Sequence, residues 1–291
     1  MRRLLIIGCG DVMRRTLPLL VRRWRVMALV RHRDPALAAL GVTQIEGDLN
    51  RPKTLARLAG ISDAVIHSAP PPADGQGDPR TARLLARMQR GKSLPRRIVY
   101  ISTTGIYGDC GGARVDESRP ACPQSARAAR RVDAESRLRR FGRRHGRACR
   151  ITILRAPGIY AADRLPLERL QRGLPLIRRE EDSHTNHIHA EDLGRACIAA
   201  LARGRANRAY NISDDSVLAM GDWFDLLADA FRLPRAPRLP REEIKARVPA
   251  MQWSFMAESR RLDNTRMKRE LRLRLAYPTV HGLVAAAAGG G

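Results

Sequence analysis

The order of segments in residues 1–31 constrains the fold more than any other feature. A short apolar strand, a glycine turn, a helix-like run and a second apolar strand follow one another: Arg3–Ile7, Gly8-Cys9-Gly10, Asp11–Trp24 and Val26–Val30. In such a βαβ unit, turn amides and a helix N-terminus can hold a pyrophosphate. We therefore expect a dinucleotide site here, with Gly8, Gly10, Asp11 and Val12 at the phosphates. An ordinary tight turn is the alternative.

One position departs from the phosphate-binding pattern. Residues 8–13 match G-x-G-x-x-G in the first two glycines, while Met13 stands where the third glycine normally lets the helix approach the strand closely. Met13 therefore belongs to the predicted site, where it either pushes the helix outward or alters the coenzyme pocket.

The end of the second strand predicts which dinucleotide is bound. NAD sites place a carboxylate there for the ribose 2′-hydroxyl, but this chain has Arg31, with Arg33 nearby. A guanidinium pairs bidentately with a 2′-phosphate. We expect NADP(H) to be preferred, with NAD(H) as the alternative. Because arginine is abundant in this chain, its presence by composition alone is the opposing interpretation.

Apolar strands alternate with helical patterns along most of the chain, which is typical of a parallel sheet covered on both faces. The predicted fold is α/β, a Rossmann-type doubly wound parallel sheet with a small C-terminal substrate lobe. Further strands are predicted at 44–46, 64–67, 97–101, 151–154 and 209–212, and helices at 51–59, 79–90, 124–145, 190–202, 222–231 and 264–271. Residues 1–160 would form the dinucleotide-binding core, with 188–213 returning to it. Residues 161–187 and 214–284 would form the lobe, and 285–291 a disordered tail.

Composition limits the function classes. The net charge of +25 comes almost entirely from arginine, which favours nucleic acid as a partner. The arginines occur in nearly every segment and no nucleic-acid-binding motif accompanies them, so a compositional origin is preferred and nucleic acid is not the expected partner. Five widely spaced cysteines favour a reduced, cytoplasmic protein. No apolar run is long enough to span a membrane, and no metal site is predicted.

Five later segments fall in a recognisable order. They are Glu46-Gly47-Asp48-Leu49, Val65–Pro71, Tyr100–Asp109 with the sequence Y-I-S-T-T-G-I-Y-G-D, Leu154–Tyr160, and Asn186–Asp192 with the sequence N-H-I-H-A-E-D. This order resembles the atypical and extended short-chain dehydrogenases/reductases, the NAD-dependent epimerase/dehydratase group, clearly over residues 1–215 and loosely beyond.

The resemblance implies several coenzyme contacts. Asp48 and Leu49 would lie beside the adenine, Ser68, Ala69, Pro70 and Pro71 beside the ribose and pyrophosphate, Ser102 and Thr103 beside the nicotinamide, and Pro157 at the border of its amide. The structural alternatives are a turn residue for Asp48, a rigid loop for residues 68–71, and core packing for Tyr107 and Tyr160, which we favour for the two tyrosines.

The resemblance also shows what is missing. Active members carry Tyr-x-x-x-Lys on the helix after the fifth strand, where the lysine lowers the tyrosine pKa and the phenol exchanges a proton with the substrate. Aligning the helix on Glu135 places Arg127 at the tyrosine position and Arg131 at the lysine position, while Thr103 matches the catalytic Ser/Thr. Arg127 stays protonated near neutral pH and cannot act as an acid–base. Two cations here favour an anionic substrate or the coenzyme phosphates.

Three functions follow from these residues. The first is an NADP(H)-dependent oxidoreductase acting on an unidentified small carbonyl, alcohol or sugar-type molecule. The second is a catalytically silent NADP(H) sensor, and the third a basic nucleic-acid-binding protein. His187 is a reserve candidate for a proton donor. The oligomeric state is expected to be a monomer or a homodimer.

Overall fold

Seven parallel strands form one sheet at the centre of the computed structural model, which describes residues 1–289 apart from the Met251 side chain. The strand order is β12-β7-β5-β4-β1-β2-β3. From β1 the chain runs outward through β2 and β3, then returns to β4 on the other side of β1. The carboxyl ends of β1 and β4 therefore flank the crevice where the strand order reverses, the usual ligand position in such sheets. The doubly wound α/β fold is confirmed.

The elements have the following bounds. The strands are β1 Arg2–Ile7, β2 Trp24–Val30, β3 Thr43–Glu46, β4 Ala64–His67, β5 Arg97–Thr103, β6 Arg114–Val115, β7 Arg150–Ala156, β8 Gly158–Tyr160, β9 Leu176–Ile177, β10 His184–Thr185, β11 His187–His189, β12 Arg208–Asn211, β13 Leu218–Ala219, β14 Arg238–Leu239 and β15 Arg261–Leu262. The α-helices are α1 Asp11–Leu20, α2 Pro35–Ala39, α3 Pro79–Met88, α4 Ala126–His145, α5 Leu167–Gln171, α6 Ala190–Arg203, α7 Met220–Ala230, α8 Arg241–Arg247, α9 Ala250–Met256, α10 Thr265–Glu270 and α11 Val280–Gly289.

The sheet is covered on both faces because its strands are apolar on both faces. Leu4, Leu5, Ile6 and Ile7 of β1 are each fully buried. Alternate residues enter two hydrophobic clusters, Leu4 and Ile6 beneath α1 and α6, and Leu5 and Ile7 beneath α3 and α4. Two-sided burial is what near-continuous apolar strands predict.

A third hydrophobic cluster lies in the C-terminal part of the chain. Its buried members run from Tyr160 to Val284 and include Trp223, Phe224 and Leu227 of α7. Short paired strands tie this part together and to the rest: β9 with β14, β10 with β13, and β6 with β15. The division of the chain into a core and a substrate lobe stays a prediction.

Several predicted boundaries are wrong for identifiable reasons. The first helix ends at Leu20, and not at Trp24, because Trp24 already pairs with Arg2 as the first residue of β2. Residues Pro52–Leu58 form a 3₁₀-helix within the predicted helix 51–59. Residues 285–289 are not a disordered tail but the end of α11, whose Val280 and Val284 are buried. An alanine run propagates a helix that is anchored in this way; residues 290–291 lie outside the described residues.

Candidate functional site

The turn after β1 is held tightly against the end of β4. Gly8 has a φ of +91°, and a Cβ there would lie 2.5 Å from the amide nitrogen of Ala69. The amides of Ser68 and Ala69 both donate to the Ile7 carbonyl, at 2.8 and 2.9 Å, and the Ser68 hydroxyl donates to the Gly8 carbonyl. Only glycine combines this conformation with this approach, so the structure explains Gly8 and the nearness of Ser68 and Ala69.

The N-terminus of α1 is open, as a phosphate site requires. A Cβ on Gly10 would meet no atom within 4 Å, and no side chain caps the helix. The first-turn amides of Asp11 and Val12 therefore have no side-chain capping partner, and the helix dipole favours an anion beside them. The cradle fits a coenzyme diphosphate.

Two ion pairs tie a distant segment to the first turns of α1. The Asp11 carboxylate accepts from Arg15 Nε at 2.9 Å and from Arg164 Nη1 at 2.8 Å. Arg15 Nη2 also donates to Asp163 at 2.6 and 2.7 Å. The 3₁₀ turn Ala162–Arg164 thus lies beside the diphosphate cradle, and the two aspartates and two arginines cancel one another's charge. The sequence analysis missed this contact because about 150 residues separate its partners.

Met13 does not occupy the turn. Its side chain is 1% exposed and packs in the hydrophobic cluster that contains Ile6 and Val26. The close contact of α1 with another helix is made one turn later, where a Cβ on Gly194 of α6 would lie 2.1 Å from Thr16 Oγ1. The structure thus shows Met13 as a core residue beneath the helix.

Arg14, Arg31 and Arg33 lie around the end of β2. Within residues 1–289, the Arg31 side chain is the one of these three that has no ion pair or hydrogen bond. Arg33 Nε donates to Glu46 Oε1 at 2.6 Å, and Arg14 is paired with Asp34, the N-cap of α2. Arg31 is exposed, so its five N–H donors are available to a ligand.

The predicted adenine and ribose residues lie in two loops joined by one arginine. Asp48 Oδ1 accepts from the Asn50 amide at 2.8 Å, so Asp48 forms the turn that the structural alternative describes. Leu49 is 7% exposed and packs in the core. Arg80 Nε donates to Asn50 Oδ1 at 2.9 Å, and its Nη1 donates to the carbonyls of Pro70 and Pro71 at 3.0 and 3.3 Å. The sequence analysis did not single out Arg80.

The end of β5 presents two hydroxyls with different surroundings. Ser102 is 3% exposed, and its hydroxyl has no hydrogen-bond partner among the described residues. Thr103 is half-buried, and its Oγ1 accepts from the Gly105 amide at 3.2 Å as the cap of the 3₁₀-helix Thr104–Tyr107. The Thr103 hydroxyl hydrogen remains free to bind a carbonyl oxygen. Pro157 lies between β7 and β8, at the carboxyl end of the neighbouring strand.

Arg131 is fixed against β5. Its Nη1 donates to the Ile101 carbonyl at 2.8 Å and to the Tyr100 hydroxyl at 3.0 Å. Burial raises the pKa of Tyr100 to about 12. Burial, aided by the Arg131 charge, lowers the pKa of His67 to about 3. Neither ring therefore exchanges protons near neutral pH.

Arg127 lies one helical turn before Arg131 and faces the C-terminal part of the chain. Its guanidinium carbon is 4.1 Å from the centre of the Phe255 ring. Partial burial lowers the pKa of Arg127, and the Glu258 charge opposes this effect. Arg127 has no ion pair within 4.0 Å among residues 1–289, so its donors are available to an anionic ligand group.

Glu258 is the functional candidate that the sequence analysis missed. The pairing of β15 with β6 carries it to the end of β5. Its Oε2 lies 4.0 Å from the position of a Cβ on Gly105, and Thr103 Oγ1 lies 3.6 Å from the same point. Arg260 Nη1 donates to Glu258 Oε2 at 2.8 Å and to the Gly108 carbonyl at 2.6 Å. No local pattern in M-A-E-S-R-R-L signals this contact across the fold.

Tyr107 is a core residue, as the structural alternative predicts. It is 1% exposed, donates to Asn211 Oδ1 at 2.7 Å and accepts from Arg155 Nη1 at 2.8 Å. Arg155 in turn pairs with Glu135 at 2.9 Å, with both side chains nearly buried. This network supports the loop that follows β5.

Tyr160 belongs to a second buried polar group. It is 2% exposed, and its ring meets the edges of His187 and His189. Burial lowers the pKa of His187 to about 4, so this residue is a poor proton donor. Burial also raises the pKa of nearby Asp214 to about 7. Within residues 1–289, no group of three His, Cys, Asp or Glu side chains is arranged to hold a metal ion.

Comparisons with known proteins show the family and the fold of this chain. A family model described as NAD(P)H-binding matches residues 8–203. A conserved protein of unknown function from Silicibacter pomeroyi is 28% identical, with a TM-score of 0.79 over 100% of this chain and 99% of that one. No helix of the described residues is long and apolar enough to cross a membrane.

Sugar-nucleotide enzymes share the fold at lower identity. UDP-glucose 4-epimerase from Thermotoga maritima, solved with UDP-glucose, is 17% identical, with a TM-score of 0.77 over 99% of this chain and 97% of that one. dTDP-glucose 4,6-dehydratase from Streptomyces venezuelae, solved with NAD and TYD, is 22% identical, with a TM-score of 0.77 over 99% and 96%. Mouse dTDP-D-glucose 4,6-dehydratase is 23% identical over 124 residues, which span 40% of this chain and only 34% of the mouse protein.

Proposed function

Because the chain belongs to the NAD(P)H-binding family, we propose that it is an oxidoreductase that uses NADP(H) to interconvert a small anionic carbonyl compound and its alcohol. The open N-terminus of α1, between Gly8 and the first-turn amides, is the observation that carries the proposal. Arg31, whose guanidinium is free, supports NADP(H) over NAD(H), because it can pair with a 2′-phosphate.

The chain's own residues would hold the coenzyme along the carboxyl edge of the sheet. The amides of Asp11 and Val12 would bind the diphosphate next to Gly10, and the loops around Asp48 and Pro70 would flank the adenosine. The loop positions depend on Arg80, which bonds to both loops. Ser102, buried and without a partner, and Pro157 would border the nicotinamide. The bound dihydronicotinamide supplies a hydride.

Three side chains would then act on the substrate. The Thr103 hydroxyl would donate a hydrogen bond to the carbonyl oxygen, which favours charge developing there. Arg131, held by β5, would donate to the coenzyme ribose from the lysine position. Arg127, held by the Phe255 ring, would bind a carboxylate or phosphate group of the substrate with its planar fork of donors.

The test combines a binding and a turnover measurement on the full chain. Titration followed by NADPH fluorescence is expected to show saturable binding that is tighter than the binding of NADH. NADPH consumption is then followed with glyoxylate and succinic semialdehyde as anionic carbonyls, with propanal as a neutral one, and with UDP-glucose. Faster turnover of the anionic carbonyls supports the proposal. Saturable NADPH binding without turnover of any of these compounds supports a sensor function instead.

The sensor is the second candidate, and the missing Tyr-x-x-x-Lys pair favours it. Arg127 and Arg131 replace the two residues that move a proton in active relatives of this type. A sensor would bind NADPH and NADP⁺ with different affinities and consume neither.

Several arginines of α4 have partners within the protein. Arg130 is 8% exposed and donates to the Gly75 carbonyl, Arg137 pairs with Asp133, and Arg139 donates to the Asn207 carbonyl. These three side chains are engaged within the protein, whereas Arg140, Arg143 and Arg144 are exposed; the even spread of arginine along the chain still favours a compositional origin of the charge. The oligomeric state and the cytoplasmic location stay predictions.

A further inference from the structure

Glu258 lies close to the end of β5, where the reduction proposed above needs a proton donor. Its Oε2 and Thr103 Oγ1 are both within 4.0 Å of the space left by the missing side chain of Gly105. We propose that Glu258 is the proton-transferring residue of this site, in place of the tyrosine that the chain lacks. This inference rests on the proposed function.

The position of the Glu258 carboxyl group is set by backbone contacts on both sides of it. The Ser259 carbonyl accepts from the amides of Cys110 and Gly112, each at 3.0 Å, and the Ser259 amide donates to Asp109 Oδ1 at 2.8 Å. The contact between the two segments continues in the parallel pairing of β15 with β6, where Arg261 lies opposite Arg114. The segment is therefore fixed to the loop after β5, which is what a group acting on a substrate bound at Thr103 requires.

Several cations lie around the Glu258 carboxyl group. The Glu258 and Arg260 side chains are 9% and 12% exposed and are 2.8 Å apart. Arg127 and Arg131 also act at this corner, and Asp109 and Arg241 contact the residues on either side of Glu258. Arginine stays protonated in all steps, so these cations stabilise the carboxylate that remains after the proton leaves.

Other side chains near the end of β5 are unsuitable as proton donors. Tyr100 is buried and bonded to Arg131, and burial raises its pKa to about 12. His67 is buried and lies 2.9 Å from Thr81 Oγ1, with a pKa lowered to about 3. Thr103 can orient a carbonyl, but within residues 1–289 its hydroxyl has no hydrogen bond to a base, and its Oγ1 accepts from the Gly105 amide.

The step balances as follows. Reduction adds a hydride, which carries two electrons, and one proton to the carbonyl group: the hydride from the coenzyme forms the new C–H bond, and the carbonyl π pair takes the proton from the Glu258 carboxyl group to form the O–H bond. The coenzyme is oxidised, the substrate is reduced, and the carboxylate that remains is paired with Arg260. Oxidation of the alcohol runs the same transfers in reverse.

Oxamate tests this inference without turnover, because it resembles an anionic carbonyl substrate but is not reduced. Calorimetric titration of oxamate into the protein–NADPH complex, in two buffers of different ionisation enthalpy, gives the number of protons taken up. We expect about one proton per oxamate in the wild-type protein, since the carbonyl-like oxygen binds to the protonated carboxyl group. Glu258→Gln is expected to bind NADPH within about twofold of wild type and to take up no proton.

Glu242→Gln is the matched control, because the Glu242 side chain is 82% exposed on α8; it should behave as wild type. Equal proton uptake in wild type and Glu258→Gln overturns the inference, and so does a protein that binds NADPH but not oxamate. Failure to bind NADPH overturns the proposed function instead, so the two failures are distinguishable. Unfolding temperatures show whether Glu258→Gln is folded, and Glu258→Ala with added formate supplies a second variant, in which restored uptake supports the inference.

Discussion

Gly8 passes so close to Ala69 that a Cβ on residue 8 would lie 2.5 Å from the amide nitrogen of residue 69. This contact joins the end of β1 to the end of β4 at the crevice where the strand order reverses. Since the obstructing atoms belong to the backbone, no side-chain rotation relieves the contact. The fold and the proposed coenzyme site therefore depend on the same glycine.

Gly8→Ala and Gly10→Ala are expected to separate folding from binding. Gly8→Ala should lower the free energy of unfolding by at least about 1–3 kcal/mol from backbone strain alone. Gly10→Ala meets no protein atom within 4 Å, so it should cost under about 1 kcal/mol, yet weaken NADPH binding about tenfold or more because the methyl group enters the diphosphate cradle. Denaturant unfolding and NADPH titration measure the two effects; unchanged NADPH affinity in Gly10→Ala would contradict the site.

Arg31→Ala tests the coenzyme preference. The free guanidinium of Arg31 should contribute a charge-assisted hydrogen bond to the 2′-phosphate, so the variant is expected to bind NADPH about tenfold more weakly and NADH with unchanged affinity. Arg33→Ala is the control, because Arg33 is paired with Glu46. Fluorescence titrations measure the affinities of both variants for NADPH and for NADH. A parallel loss of NADH affinity in Arg31→Ala would remove the role assigned to this residue.

Gly105→Ala probes the space between Thr103 and Glu258. The new methyl group would lie 3.6 Å from Thr103 Oγ1 and 4.0 Å from Glu258 Oε2, which are ordinary contact distances, so the fold should be retained. Since the methyl group would project into the space between Thr103 and Glu258, where the proposed substrate would bind, oxamate affinity is expected to fall about tenfold. Gly282→Ala, where a Cβ meets nothing within 4 Å, serves as the control. Wild-type oxamate affinity in Gly105→Ala would show that the substrate binds elsewhere.

Asp214 predicts a pH dependence of stability. Burial raises its pKa from 3.8 to about 7 in the folded state, so the folded protein holds a proton that the unfolded chain releases at lower pH. Stability should therefore fall as the pH rises from about 4 to about 7 and stay low above that. Asp214→Asn removes this penalty, and its advantage over wild type should grow by roughly 2 kcal/mol between pH 5 and pH 8.

The neighbouring Asp215→Asn provides the comparison, because Asp215 is 41% exposed and paired with Lys268. Urea unfolding of the wild type and both variants at the two pH values measures the six free energies needed. A constant difference between wild type and Asp214→Asn across this range would mean that Asp214 is ionised throughout in the folded protein.

The glycine turn, the order of the strands and the position of Arg31 could be predicted because each depends on local chemistry. Apolar runs such as Leu4–Ile7 must be buried whatever surrounds them, and a glycine turn between a strand and a helix has few alternative geometries. The role of Met13 could not be predicted, since whether its thioether meets a coenzyme or the core depends on how α1 lies on the sheet and on α6.

The sequence by itself determined that this chain forms a parallel sheet with a glycine turn after its first strand, and that arginine stands at residues 127 and 131, because strand burial, turn conformation and residue identity are local properties. Only the tertiary structure decided which groups surround Thr103. Glu258 reaches it through the β6–β15 pairing, and Phe255 reaches Arg127 through the packing of α9. Contacts between residues more than 120 positions apart are selected by the packing of the whole chain and leave no periodic signal in the residues that make them.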